Sequence, residues 1–246
     1  MVWTEKHLDI VRDLGLNVSR DKAATRLLHS LVDVPDLKLL EKRLKDKPVI
    51  VLGCGPSLEN DLYKIIQAGL HRRLVLVAAD GAVKALLDED ITPHLNVTDL
   101  DGDLNATVNA NRFGCITVVH AHGDNIPNIL KVLPLLKRRV YATTQHVPTD
   151  RVLNFGGFTD GDRACYLAEY FKPKFIALAG MDFGNVVGVY SGHYNKVNKH
   201  RKLRIGRELL EELAGKSDIH FFNMTSSGQH INNVHSVDAE KIRELI

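Results

Sequence analysis

The sequence predicts an α/β fold, a mainly parallel sheet flanked by helices, with a helical extension at its N-terminal side. Two observations carry this reading. From Pro48 onward, short apolar runs such as Val49 to Leu52 and Leu74 to Ala79 alternate with glycine-rich loops and helically spaced stretches, the pattern of strands joined by crossover helices. Before Pro48, leucines recur at three- and four-residue steps instead, the spacing of amphipathic helices. The expected division is a helical extension over 1–46 and an α/β domain over 47–246.

In the extension the periodic residues are Leu8, Val11 and Leu14, then Ala24, Leu27, Leu28 and Leu31, then Leu37, Leu39, Leu40 and Leu44, with a break at Asp33 to Asp36 around Pro35. Such a segment serves as a lid, as a dimer surface, or simply as packing against the main domain. Val49 to Leu52 reads as the first strand and runs into Gly53-Cys54-Gly55-Pro56-Ser57, after which Leu58, Leu62, Ile65 and Ile66 keep helical spacing. Ser57 is placed as an N-cap. The loop would present backbone N–H groups and a positive helix end to a phosphate or a sugar edge; the competing reading is a tight turn that needs glycine for its geometry. Cys54 reads as a small packed residue rather than a nucleophile.

Leu74 to Ala79 forms the next strand and delivers Asp80 to its carboxyl end, the edge at which open α/β sheets bind ligands. A short helix and Asp90-Ile91-Thr92-Pro93 follow, then the strand that carries Asn96-Val97-Thr98-Asp99-Leu100-Asp101-Gly102-Asp103. In an extended segment alternate residues face one way, so Asp99, Asp101 and Asp103 would converge, with Gly102 turning the backbone. A hard divalent ion would neutralise them and bridge to phosphate; a plain turn rich in Asp and Gly explains the same residues.

Cys115 to Asn125 reads as a strand ending in alternating polar residues, and its His120, His122 and Asp124 resemble the H-x-H-x-D ligands of metallo-β-lactamase-like zinc hydrolases. That family has His where this chain has Asn125, and its layers are antiparallel. The preferred reading is a further loop at the carboxyl edge, with His122, Asp124 and Asn125 contacting substrate or nucleotide. Val140 to Thr143 and Val152 to Phe155 are strands, the second leading into Gly156-Gly157-Phe158-Thr159-Asp160-Gly161-Asp162-Arg163-Ala164, where Thr159 or Asp160 caps a helix to Tyr170. Lys174 to Ala179 is a strand ending in Gly180 to Gly184. A helix then holds Lys199, Arg201, Lys202, Arg204 and Arg207, either a seat for polyphosphate or a solvated face. His220 to Phe222 is the last expected strand.

Bulk properties narrow the function classes. The 246 residues carry a net charge of +2, with 25% charged and 44% hydrophobic residues, an ordinary globular balance that argues against nucleic acid or an anionic membrane as partner. No run approaches the roughly eighteen apolar residues of a membrane span, and Met1 to His7 lacks a signal-peptide core, so a cytoplasmic location is expected. Cys54, Cys115 and Cys165 form no C-x-x-C pair and are expected to be reduced and buried.

In order and rough spacing, Asp80-Gly81-Ala82, Thr92-Pro93, Thr98-Asp99-Leu100-Asp101-Gly102 and Thr159-Asp160-x-x-Arg163-Ala164 resemble the motifs of thiamin pyrophosphokinases. Thr98 stands where those enzymes have glycine, and Gly102 where they have serine. Gly53 to Leu58 and His120 to Asn125 look instead like the archaeal-type 6-hydroxymethyl-7,8-dihydropterin pyrophosphokinases, a related family, over residues 48 to about 230. The resemblance implies a thiamin pyrophosphokinase-like catalytic fold, Mg2+, ATP as co-substrate and a hydroxymethyl pterin as acceptor, in a homodimer. It implies Asp99 and Asp101 as magnesium ligands with Asp80 as a third acidic contributor, and Asp160 or Asp162 orienting or deprotonating the hydroxymethyl group. Thr159, Lys196, Arg201 and Arg204 would hold nucleotide, the last three at its triphosphate; Gly53, Gly55, Pro56 and Ser57 would approach nucleotide or pterin. Thiamin as acceptor, or a non-catalytic nucleotide-binding or glycosyltransferase-like module, are the alternatives.

Overall fold

A computed structural model describes residues 3–137, 139–184, 186–192 and 196–246, with backbone alone for 3–5 and 196–198. Three helices come first: α1 (Trp3–Leu14), α2 (Val18–Leu31) and α3 (Leu37–Leu44). Side-chain caps explain two of their starts, because Asn17 accepts from Arg20 N at 3.1 Å and Asp36 accepts from Lys38 N at 3.1 Å. The break predicted at Asp33 to Asp36 is the linker between α2 and α3, held by Arg151 Nη1 donating to Val32 O and Tyr141 OH donating to Asp36 O.

The strands are β1 (Pro48–Leu52), β2 (Val75–Ala79), β3 (Leu95–Thr98), β4 (Ile116–Ala121), β5 (Val140–Thr144), β6 (Val152–Leu153), β7 (Phe175–Ala179), β8 (Phe221–Asn223) and β9 (His235–Ser236). They form one sheet in the order β6-β5-β4-β3-β2-β1-β7-β8-β9, and every pairing is parallel. The helices between them are α4 (Leu58–Gln67), α5 (Ala82–Asp88), α6 (Leu104–Arg112), α7 (Ile126–Val132), α8 (Asp160–Tyr170), α9 (Lys196–Lys216) and α10 (Ala239–Leu245).

Both faces of the sheet are covered, which is why its strands read as continuous apolar runs. Val49 and Val51 of β1 pack on one face with Leu40, Leu44, Ala164, Leu167 and Leu210; Ile50 and Leu52 pack on the other with Leu58, Leu62, Val83 and Ile242. The extension is part of this packing: Ala24 and Leu28 of α2 are fully buried against Val119, Ala121 and Ala142. Ile10 of α1 joins Phe158, Ile205 and Leu209.

The strand positions match the sequence pattern closely, with three differences. β6 stops at Leu153, and Phe155 leaves the sheet to stack edge-on with Tyr170. β8 lies one residue further along than expected, and β9, whose two residues are both exposed, gave no apolar signal. No helix among the described residues is long and apolar enough to cross a membrane.

One topological feature positions everything that follows. From β1 the chain builds outward to β6, then returns to lay β7 on the other side of β1. The switch in strand order therefore falls between β1 and β7, and the crevice beside their carboxyl ends is the place where open α/β sheets take their ligands.

Candidate active site

The crevice is a cleft bordered by the ends of β1, β2, β3 and β7 and by α8 and α9. Asp80 ends β2, and Asp99 and Asp101 follow β3, its parallel neighbour. Asp160 enters from the first turn of α8. Carboxylate oxygens of Asp80, Asp99 and Asp160 lie within 4.8 Å of one another, and Asp101 borders the same cleft.

Asp99 and Asp101 do not converge by strand alternation. β3 ends at Thr98, and Leu100 takes the left-handed conformation with φ of 64°. Leu100 N donates to Thr98 Oγ1 at 2.8 Å, and Thr98 Oγ1 donates to Asp80 Oδ1 at 2.7 Å, so one hydroxyl holds the turn and orients the neighbouring carboxylate. Asp80 is itself left-handed, with φ of 45°. Backbone strain at two adjacent strand ends, in non-glycine residues, is concentrated where the carboxylates meet. Gly102 is needed less for turning than for room, since a Cβ there would strike the Asp80 carboxylate. Asp103 does not join the cluster: it caps α6, accepting from Ala106 N at 2.9 Å.

The cluster is electrostatically uncomfortable. Burial, then the charges of Asp160, Asp101 and Asp99, hold Asp80 well above the usual carboxylate range. Burial and Asp99 likewise raise Asp160, against the pull of Arg163. Asp101 sits at the mouth with solvent on its outer side; lost hydration on its inner side, then the Asp99 charge, push it up to about 6. Oδ1 of Asp99 is buried without a hydrogen-bond partner. An all-oxygen donor set with an unsatisfied carboxylate oxygen fits a hard divalent cation.

Asn125 fixes the position of this set. Its Nδ2 donates to Asp99 O at 2.5 Å and to His120 O at 2.7 Å, while its Oδ1 accepts from His122 N at 3.0 Å. The residue predicted to contact ligand is instead 95% buried beneath the Asp99 backbone. His122 lines the cleft; Asp124 turns outward to Arg20, 3.2 Å away. His120 belongs to β4 itself, buried, with Nδ1 3.0 Å from Thr143 Oγ1; His122 Nδ1 and Asp124 Oδ2 lie 3.9 Å apart, but the three residues do not gather into a group that could hold one zinc ion.

Thr159 and Asp162 make a capping box at the start of α8. Asp162 accepts from Phe158 N at 2.6 Å and Thr159 N at 2.8 Å, and also from the Thr159 hydroxyl. Fully buried and occupied by these donors, Asp162 serves the helix, whereas Asp160 borders the cleft and is gripped by Arg163 Nη1 at 2.7 Å. Arg163 also donates to Phe158 O at 2.7 Å.

Across the crevice, Gly53, Cys54, Gly55 and Pro56 line the wall, and Ser57 sits behind it. Ser57 occupies the N-cap position of α4 without a capping bond from its side chain. Its hydroxyl lies 2.9 Å from Asp61 Oδ2 and 2.8 Å from Asp182 Oδ2, clamping the β1 loop to the β7 loop. Gly180 N and Ser226 N donate to Asp61 at 2.9 Å each, and Ser227 Oγ donates to Asp182 at 2.5 Å. Gly55 has to be glycine, because a Cβ would overlap the Asp182 carboxylate. Cys54 donates its thiol to Ala79 O at 3.1 Å, and burial pushes that thiol well up, so it is a packed lining residue as expected.

The basic helix does face the acidic cluster, through two of the five residues named from the pattern but not through the arginines that the resemblance assigned to the triphosphate. Lys199 and Lys202 line the cleft. Arg201 and Arg204 are exposed, and Arg204 lies 3.8 Å from both Asp13 and Glu208. Lys196 lies outside the residues whose side chains are described. Met181, Phe183, Phe158 and Leu203 supply an apolar wall that sequence reasoning did not single out. The loop at a strand's carboxyl end, the place that pointed to Asp80, would have flagged Met181 and Asp182, two and three residues past Ala179.

Residues 23–188 match the family described as 6-hydroxymethylpterin diphosphokinase MptE-like. Three relatives, all with the name 6-hydroxymethyl-7,8-dihydropterin pyrophosphokinase, match almost end to end. The protein of Methanothermobacter thermautotrophicus is 41% identical over 232 residues, 89% of this chain and 96% of the relative. That of Methanocaldococcus jannaschii is 37% identical over 235 residues, 89% and 97% respectively. That of Pyrococcus furiosus is 40% identical over 222 residues, 86% and 92%. A glycosyltransferase of the MAf type from Magnetospirillum magneticum shares the fold at a TM-score of 0.54 and 20% identity, over 80% of this chain and 34% of that one. Fold, cleft and relatives define a transferase of the pyrophosphokinase class. The chain belongs to the MptE-like 6-hydroxymethylpterin diphosphokinase family.

Proposed function

We propose that this enzyme moves the pyrophosphoryl group of ATP to the hydroxymethyl group of 6-hydroxymethyl-7,8-dihydropterin, with Mg2+, releasing AMP. The observation that carries this reading is the set of Asp80, Asp99, Asp101 and Asp160 facing Lys199 and Lys202 across one cleft. Carboxylates for a cation and ammonium groups for anionic oxygens are the two parts that phosphoryl chemistry asks of a protein. The names of the curated relatives support the pterin as acceptor.

Asp80, Asp99 and Asp160, with Asp101 at the mouth, would hold the ion. A bound ion there would supply positive charge to offset that developing on the phosphates. Everything else falls to the chain. Lys199 and Lys202 receive the phosphates, and the Gly53 to Pro56 wall, lacking side chains at two positions, lets a ligand approach the backbone. Met181, Phe183 and Phe158 give a flat ring an apolar seat beside the cluster. In the transfer the hydroxymethyl oxygen bonds to the β-phosphorus, the bond from the β-phosphorus to the oxygen bridging it to the α-phosphate breaks, and AMP departs with that oxygen. The hydroxyl proton goes to a carboxylate, which we assign to Asp160 because Arg163 holds it in place while Asp162 is consumed by its cap.

The test is an incubation with ATP and Mg2+ plus either 6-hydroxymethyl-7,8-dihydropterin or thiamin, with AMP scored by chromatography. AMP with the pterin alone is expected. AMP with thiamin alone would replace the acceptor, and ADP in place of AMP would overturn diphosphate transfer itself.

A further inference from the structure

On the far side of the His122 to Asn125 loop from the cleft lies a second cluster with different chemistry. His7 comes from α1, Asp21 from α2, and His146 from the turn after β5. One nitrogen of each histidine and one oxygen of Asp21 all lie within 4.8 Å of one another. His7 and Asp21 are each 2% exposed, and the His146 side chain is 12% exposed.

We propose that His7, Asp21 and His146 form a binding site for one zinc-class divalent ion, which staples the N-terminal helices to the catalytic sheet. His146 Nε2 stands 3.4 Å from Asp21 Oδ2. Around a tetrahedral zinc with bonds of about 2.0–2.1 Å, neighbouring ligand atoms are separated by roughly 3.3 Å. The two imidazole rings meet nearly perpendicular, at 83° with centroids 4.8 Å apart, so neither covers the other's face. Asp21 is steered as ligating carboxylates usually are: Gly123 N donates to its Oδ1 at 2.7 Å and Gln145 Nε2 to its Oδ2 at 2.6 Å. Two imidazoles and one carboxylate favour zinc and its borderline neighbours, whereas the all-oxygen set in the cleft favours magnesium. The fourth tetrahedral position would fall to water.

Such an ion would tie together three segments that meet nowhere else in sequence. It would also fix the carboxylate that grips Gly123, inside the loop whose Asn125 holds the Asp99 backbone. The staple thus sits behind the catalytic set without touching it.

Chelator-stripped full-length protein, kept in excess Mg2+ to fill the cleft, is titrated with Co2+ and read by visible d–d absorption, with Zn2+ as competitor. One equivalent of Co2+ giving tetrahedral bands, displaced by Zn2+, is expected for the wild type and for Asp99→Asn. His146→Gln and His7→Gln should bind at least about tenfold more weakly. Absence of bands in the wild type, bands unchanged in both histidine variants, or bands lost in Asp99→Asn would overturn the site. A crystal of the zinc-loaded wild type decides without any variant: an anomalous peak between His7 and His146 supports the proposal, and a peak only in the cleft rejects it.

Discussion

Two groups of aspartates lie near the carboxyl ends of the central strands, and they differ in what surrounds them. On the β2–β3 side, Asp80, Asp99, Asp101 and Asp160 crowd together with few donors: Asp80 takes the Thr98 hydroxyl, Asp160 takes Arg163, and Asp99 Oδ1 takes nothing. On the β1–β7 side, Asp61 and Asp182 are buried, at 1% and 3% exposed, as Asp80 is at 7%, whereas Asp99 and Asp160 are half-buried and Asp101 is exposed; backbone N–H groups and serine hydroxyls meet both oxygens of Asp61 and of Asp182. Asp80 and Asp182 are both buried, so burial alone does not separate a carboxylate that ties loops together from one that faces the cleft with its cluster. The supply of donors does, because a satisfied carboxylate stabilises the loops it bridges while an unsatisfied one is left for a cation.

Substitutions on the two sides should act in opposite ways. Asp99→Asn is expected to lower kcat/KM by about 10³-fold, and to raise the thermal midpoint of the magnesium-free protein by removing one of the crowded charges. A variant that loses activity and stability together would erase the distinction. Lys199→Ala should lower kcat/KM by about 10²-fold, with the KM for ATP rising in steady-state assays. Asp61→Ala strips partners from Ser57, Gly180 and Ser226, and should destabilise by about 2–4 kcal/mol in urea unfolding.

The raised carboxylates also fix the sign of the pH dependence. Asp101 has its folded pKa lifted to about 6, and Asp80 and Asp160 are lifted as well. A carboxylate raised on folding adds stability below its unfolded pKa, and that gain is lost as pH rises through the folded value. Magnesium-free protein should therefore lose stability as pH climbs through about 6, and Mg2+ should restore it. Apparent magnesium affinity, followed by thermal shift, should weaken roughly tenfold per displaced proton for each pH unit below about 6. The smallest effect is expected at Asp124, which is exposed and meets exposed Arg20 at 3.2 Å and His122 Nδ1 only at 3.9 Å: Asp124→Ala should change kcat/KM by less than about twofold.

Much of this was legible in the chain. Apolar runs ending in aspartate gave β2, β3 and the carboxylates that border the cleft, because a parallel sheet buries its strands whole and puts polar residues at one edge. What failed was geometry set by tertiary contacts. The left-handed turn at Leu100 depends on the Thr98 hydroxyl, so alternation wrongly enrolled Asp103. Which side of α9 faces the cleft is decided by how the helix lies on the sheet; Lys199 and Lys202, three residues apart, share that side, and Arg201 and Arg204 share another. Asp61 had no signal at all, since a carboxylate in the first turn of a helix is ordinary and two of its three partners, Gly180 and Ser226, come from distant loops.

The most direct test is the magnesium activation curve of AMP formation from ATP and 6-hydroxymethyl-7,8-dihydropterin, measured near pH 8 for the wild type and Asp99→Asn. The wild type should show saturable activation, with activity in Asp99→Asn lower by about 10³-fold at any magnesium concentration. Equal activation in both proteins would mean that the cluster at the β2 and β3 ends is not where the cation works.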